Sequence, residues 1–145
     1  MRLKELMRTL ITEEMADVSV YNVDARLYGS NEKIGNKIGE LFTRIAQEKK
    51  TRLKALSKIS KEGVGFRQRK TEGSRSIEAA LRTHTDRAGK NVALYRSLLK
   101  LINKPESREI LKNIIFSERG CITALKELRE QLTDTAPGVR IQDEG

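Results

Sequence analysis

Tryptophan is absent from this 145-residue sequence, cysteine occurs once, proline twice, and aromatic residues make up only 4%. Each scarcity excludes something. One cysteine can neither close an internal disulfide nor build a cysteine-rich zinc or iron–sulfur knuckle. So few aromatics require an aliphatic core. Leu, Ile, Lys, Arg and Glu dominate what remains, which favours helix over sheet. No apolar run approaches the ~18 residues of a membrane span. The amphipathic start MRLKELMRTLITEEM lacks the apolar stretch and small-residue cleavage site of a secretory signal. There is no Gly-rich phosphate loop, no Ser/His/Asp set and no Cys/His nucleophile arrangement; Gly63-Val64-Gly65 has the wrong spacing. These exclusions point to one cytoplasmic domain, long enough to bury a core, with no cofactor and no membrane partner.

Charge is plentiful and uneven. The net charge is +9, from 29 basic and 20 acidic residues. Residues 1–28 are close to neutral, whereas residues 29–104 carry a net +12. Such an excess favours an anionic partner, or simply a well-solvated surface.

Apolar spacing of three and four residues predicts four long helices. Helix 1 spans about 2–28, with Leu3, Leu6, Leu10, Glu14, Val18, Tyr21, Ala25 and Tyr28 on one face. Gly29 is expected as its left-handed terminator, and Ser30 or Asn31 as the cap of helix 2, about 32–60. Gly35 and Gly39 offer room for a close backbone approach. Residues 61–75, KEGVGFRQRKTEGSR, carry three glycines and five cations and read as a connection. It is too long for a simple turn between neighbouring antiparallel helices. Ser76 caps helix 3, about 76–103. Pro105 suits the start of helix 4, about 106–132. Residues 133–145 read as a flexible tail.

The two halves resemble each other. Tyr21 corresponds to Tyr95 at an offset of 74, and the second helices superpose at an offset of 69, pairing Phe42 with Leu111, Ile45 with Ile114, Leu53 with Ile122 and Leu56 with Leu125. Two similar helical hairpins joined by a long crossover make an all-α four-helix bundle of the ferritin-like arrangement.

One stretch of helix 2, Ile45–Ile59, breaks its own pattern. Lys49 and Arg52 stand where the stripe formed by Ile45, Leu53, Leu56 and Ile59 should continue. Two cations in an apolar stripe need either a partner or an exit to water.

Over about Leu3–Leu132 the chain resembles the ferritin-like superfamily, in particular its rubrerythrin-like branch. That resemblance implies a Glu seven residues before a Tyr on the first helix of each hairpin, and Glu-x-x-His on the second. Together these ligands surround two iron or manganese ions. Glu14 keeps the spacing to Tyr21. Lys49 and Arg52 replace the carboxylate and imidazole of helix 2, Ala88 replaces the carboxylate of helix 3, and Cys121 replaces the imidazole after Glu118. Two of six expected ligands therefore remain, and no metal is expected at these remnant positions. Lys49 and Arg52 are expected to pair with Glu14 and Glu118 in the volume the metals would fill. The alternative is that both cations reach water along a helix edge. His84, the single histidine, reads as a hydrogen-bonded core residue, and Cys121 as a small buried hydrophobe. Tyr21 and Tyr95 are expected to fill the core with their hydroxyls on polar groups at its centre.

The functional expectation is a non-catalytic scaffold, with the balance against an enzyme. Lys61, Arg67, Arg69, Lys70 and Arg75 are its candidate contacts to phosphate, on RNA or a ribonucleoprotein ahead of DNA. With so few aromatics, base stacking is expected to add little. A second copy of the chain or a protein partner is a neutral variant of the same reading. The rival expectation is a residual redox protein with one ion held by Glu14, His84, Glu118 and Cys121.

Overall fold

The computed structural model describes residues 2–62 and 66–135. They form four helices: α1 Leu3–Tyr28, α2 Gly35–Ser60, α3 Ile77–Leu101 and α4 Pro105–Thr135. There is no strand among the described residues.

The helix ends follow from local chemistry, with three departures from expectation. Gly29 closes α1 in a right-handed conformation, φ −63°, not a left-handed one. Asn31 Oδ1 accepts from the Lys33 and Ile34 amides at 2.9 and 3.1 Å, which spends residues 32–34 on a turn and delays α2 to Gly35. A Cβ on Gly35 would lie 2.6 Å from the Gly29 carbonyl oxygen, so only glycine lets the two helix ends pass so closely. Gly39 has ordinary room. The left-handed terminator belongs to α2, where Lys61 takes φ 62° and its amide donates to Ser57 O. Ser76 Oγ caps α3 by accepting from the Ala79 amide at 3.0 Å. Pro105 is the first residue of α4, and that helix runs to Thr135, through the first three residues of the expected tail. Residues 136–145 and Gly63-Val64-Gly65 lie outside the described residues.

Packing fixes the topology. Val18 and Tyr21 of α1, Ile38 and Phe42 of α2, Ala80 and Leu81 of α3, and Cys121 and Leu125 of α4 share one apolar cluster. Leu6 and Leu10, Leu56, Tyr95 and Leu98, and Leu111 and Ile114 share the other. The start of α1 thus lies beside the ends of α2 and α3 and the start of α4. Helix α1 packs on α2 and α3, and α4 packs on the same two. Helix α2 therefore ends, and α3 begins, at opposite ends of the bundle. Leu3, expected in the α1 stripe, is 42% exposed because it precedes the point where the four helices close together.

The described part of the connection lies against α1. Gln68 Nε2 donates to Ser19 O, the Arg69 amide donates to Ser19 Oγ at 3.0 Å, and the Ser74 amide and hydroxyl both donate to Asp24 at 2.8 Å. No helix among the described residues is long and apolar enough to cross a membrane.

Candidate functional site

Between the two apolar clusters lies a layer of buried charge to which every helix contributes. On α1, Glu14 and Asp17 are three residues apart and share a face; on α2, Lys49 and Arg52 do the same. Asn91 and Tyr95 enter from α3 and Glu118 from α4. All are buried, with Glu14 and Glu118 at 0% exposure and Lys49 at 1%.

Lys49 Nζ sits among the three carboxylates. It donates to Glu14 at 2.7 Å, Asp17 at 3.1 Å and Glu118 at 3.2 Å. An ammonium has three protons, so its donor capacity is fully used. Arg52 Nη1 donates to Glu118 at 2.5 Å and Glu14 at 3.4 Å, and its Nη2 donates to Ser117 Oγ at 2.9 Å. Asn91 Nδ2 donates to Asp17 at 2.9 Å and Glu118 at 3.3 Å, and the Tyr95 hydroxyl donates to Glu14 at 2.8 Å. Two buried cations face three buried anions. Arg87, at the edge with a third of its side chain exposed, supplies the remaining positive charge to Asp17 at 2.5 Å and also reaches Glu13. Arg52 Nε is buried without a hydrogen-bond partner.

The electrostatics follow from this pairing. Burial works to raise the carboxyl pKa of Asp17, but Lys49 and Arg87 hold it below its ordinary value. Glu118 is lowered likewise, burial being outweighed by Lys49 and Arg52. Burial would strip the proton from Lys49, yet Glu14, Asp17 and Glu118 raise its pKa above the ordinary lysine value. These are fixed charges across the neutral range. Burial, then Glu118, pushes the Cys121 thiol up to about 11, so it is protonated near neutral pH.

Glu14, Asp17 and Glu118 each offer an oxygen, and these lie within 4.8 Å of one another, a spacing a metal ion could use. The donor set does not fit a dinuclear centre. Arg52, Cys121 and Ala88 stand where the ferritin-like resemblance implies ligands, and the Lys49 ammonium already bonds to Glu14, Asp17 and Glu118.

A second polar centre lies two turns further along α1. Asp24 Oδ2 is 2.8 Å from His84 Nε2 and accepts from Ser74 of the connection. The Tyr28 hydroxyl donates to Ser74 O. Tyr21 stacks on the His84 ring with centroids 3.7 Å apart, and Phe42 meets its edge. His84 is thus a core residue bound to Asp24 and stands outside the grouping of Glu14, Asp17 and Glu118. Burial opposes ionisation of Asp24, but its bonds to His84 and Ser74 hold its pKa low.

The expected residues are accounted for as follows. Glu14, Lys49, Arg52 and Glu118 come together, with Cys121 at the edge, 3.9 Å from Arg52 Nη2. Ala88 is buried on α3, three residues before Asn91. Lys61, Arg67, Arg69, Lys70 and Arg75 are all exposed. Asp17, Asn91, Arg87 and Asp24 were not anticipated. The internal repeat held the signal for three of them. Residues 74 apart on α1 and α3 meet across the bundle as Asp17–Asn91 and Glu13–Arg87. Residues 69 apart on α2 and α4 meet as Lys49–Glu118, Arg52–Cys121 and Glu48–Ser117. Equivalent positions of the two hairpins thus face each other, and a charge in one half looks for its partner at the matching position of the other. Asp24 had no such signal, because Ser74 lies on the unrepeated connection. Comparison with family models, with curated proteins and with solved structures gives no match to this chain, so what the cluster does is argued from its own geometry.

Proposed function

We propose that this chain is a non-catalytic member of the ferritin-like superfamily, rubrerythrin-like in layout, whose metal centre has been replaced by an internal salt-bridge cluster. Its basic connection docks on an anionic macromolecule, RNA or a ribonucleoprotein ahead of DNA. The observation that carries the reading is the Lys49 ammonium bonded at once to Glu14, Asp17 and Glu118. A tethered cation there does structurally what a metal ion would do, holding carboxylates from different helices together, without redox chemistry. Docking is supported by the connection. Ser19 and Asp24 hold its backbone and Ser74 side chain, while Arg67, Arg69, Lys70 and Arg75 remain exposed to meet phosphates.

The test is binding of a labelled single-stranded RNA, followed by fluorescence anisotropy across a salt series. Affinity should fall steeply with salt, by roughly 0.7 log units per log unit of salt for each phosphate engaged. Combined Arg67→Ala, Arg69→Ala, Lys70→Ala and Arg75→Ala should flatten that slope. No binding at low salt, or binding indifferent to salt, overturns the docking reading. The rival, a remodelled mononuclear redox site, has the 4.8 Å grouping of carboxylate oxygens in its favour. Elemental analysis after refolding with excess iron and manganese separates the two, since tight stoichiometric metal requires Lys49 to vacate the cluster.

A further inference from the structure

The one aromatic residue of the basic connection occupies a particular place. Phe66 is half-buried and packs against the apolar cluster that contains Tyr21 and Phe42. It lines a groove of about 480 Å3 between α1, α2 and the connection, together with Asn22, Ala25, Arg26, Thr43 and Gln68. That volume falls in the roughly 300–1,000 Å3 range of small-ligand sites. The Lys50 ammonium lies 5.0 Å from the Phe66 ring centroid. Arg26 and Arg67 are exposed beside it, and the Asn22 and Gln68 amides, bonded to each other at 2.9 Å, give the groove a polar wall.

We propose that this groove seats one unpaired nucleobase of a bound single strand, stacked on Phe66, with Lys50, Arg26 and Arg67 on its flanking phosphates. The inference rests on the docking reading above and adds to it a base contact. A ring face with cations around it is the arrangement that single-strand binders use: the ring takes a base of any sequence, and the cations track the backbone. A duplex keeps its base faces stacked and cannot offer one. The Lys50 ammonium moves from the ring to a phosphate on binding, exchanging a half-buried cation–π contact for an ion pair while the base takes the ring face. Within the basic connection, Phe66 is the one aromatic on which a base can stack.

The chain contains no tryptophan, so Phe66→Trp introduces a single reporter. Titration with a 12-mer of uridine should quench its fluorescence saturably. Inorganic polyphosphate, which has charge and no bases, should bind without that quench. Phe66→Leu, which keeps an apolar contact to the core, should weaken the 12-mer about 10-fold or more and leave polyphosphate affinity unchanged. Thermal melts of both variants check that the bundle is intact. If the 12-mer binds Phe66→Leu as tightly as the parent, or binds Phe66→Trp without quenching, the stacking inference falls while phosphate docking stands. If neither ligand binds at low salt, both fall.

Discussion

The bundle buries carboxylates in two places and treats them differently. At the centre, Glu14, Asp17 and Glu118 are held by Lys49 and Arg52, and every partner comes from a helix. Two turns along α1, Asp24 is held by His84 and by Ser74, so one of its partners belongs to the connection. The first centre fastens helix to helix, the second fastens the connection to the bundle. The difference also lies in chemistry. The first centre is closed by lysine and arginine cations, while the second is built from a histidine ring, a serine hydroxyl and a backbone amide. Damage at the centre should threaten the whole fold; damage at Asp24 should release the segment that carries the basic residues.

Lys49→Ala tests the first half of that contrast and should have the largest effect. It leaves three buried carboxylates with only Arg52 and Arg87 as cationic partners, and breaking a buried pair in this way costs about 3–5 kcal/mol, measurable by urea denaturation. Removing the ammonium also opens the 4.8 Å grouping of oxygens. Millimolar Mn2+ should therefore raise the midpoint of Lys49→Ala and leave the parent unmoved. A variant as stable as the parent would show that the cluster is not truly closed to water.

The pH profile of stability sharpens the comparison next. Asp17 and Glu118 lie below their ordinary values of 3.8 and 4.5. Their contribution is complete above those values and is lost as pH falls through the lower folded ones. Lys49 lies above its ordinary 10.5, so its contribution is complete below that value and is lost as pH rises beyond it. The melting temperature should be flat between about pH 5 and pH 10 as far as this cluster is concerned, with an acid and an alkaline limb. Asp24 is also lowered, so Asp24→Asn should soften the acid limb and leave the alkaline one in place.

Much of this was readable from spacing. The four helices and the long basic connection follow from apolar periodicity, and the need of Lys49 and Arg52 for partners from the cost of buried charge; Glu14 and Glu118 as those partners come from the ferritin-like resemblance. Asp17 was missed because an aspartate three residues after Glu14 reads as one more solvated charge on a helix rich in them. Only its equivalence to Asn91 across the repeat marks it as central. Gly29, expected as a left-handed terminator, ends α1 right-handed, and the left-handed end falls at Lys61 of α2. Glycine permits a left-handed end without requiring one, and Asn31 supplied a turn that made it unnecessary. Asp24 illustrates the limit of periodicity: its partner Ser74 is 50 residues away on a segment with no period to extrapolate.

Asp24→Asn addresses the second half of the contrast directly. The amide retains the shape but loses the charge that accepts from Ser74 and faces His84. A charge-assisted buried bond of this kind contributes about 1.5–3 kcal/mol. The expected signature is local. Hydrogen exchange should accelerate at the Ser74 amide, while the amides around Lys49 and Glu118 keep their protection. Uniform acceleration throughout the bundle would mean that the connection is not a separable unit and that the two centres act as one.

Ser19→Ala should have the smallest effect and is the finest probe of how the connection is fastened. The Ser19 hydroxyl accepts from the Arg69 amide and itself donates to Met15 O at 3.2 Å, while its backbone carbonyl accepts from Gln68. Alanine leaves the carbonyl contact and removes only the neutral acceptor, a loss of about 0.5–1.5 kcal/mol. Ser19 stands between the two centres on α1, two residues after Asp17 and five before Asp24, yet it bonds to neither. If the connection is held at independent points, Ser19→Ala should speed exchange at Arg69 without changing it at Ser74, and its effect should add to that of Asp24→Asn. A double variant much weaker than the sum would show that Ser19 and Asp24 hold the basic segment cooperatively, so that loosening one end frees all of it.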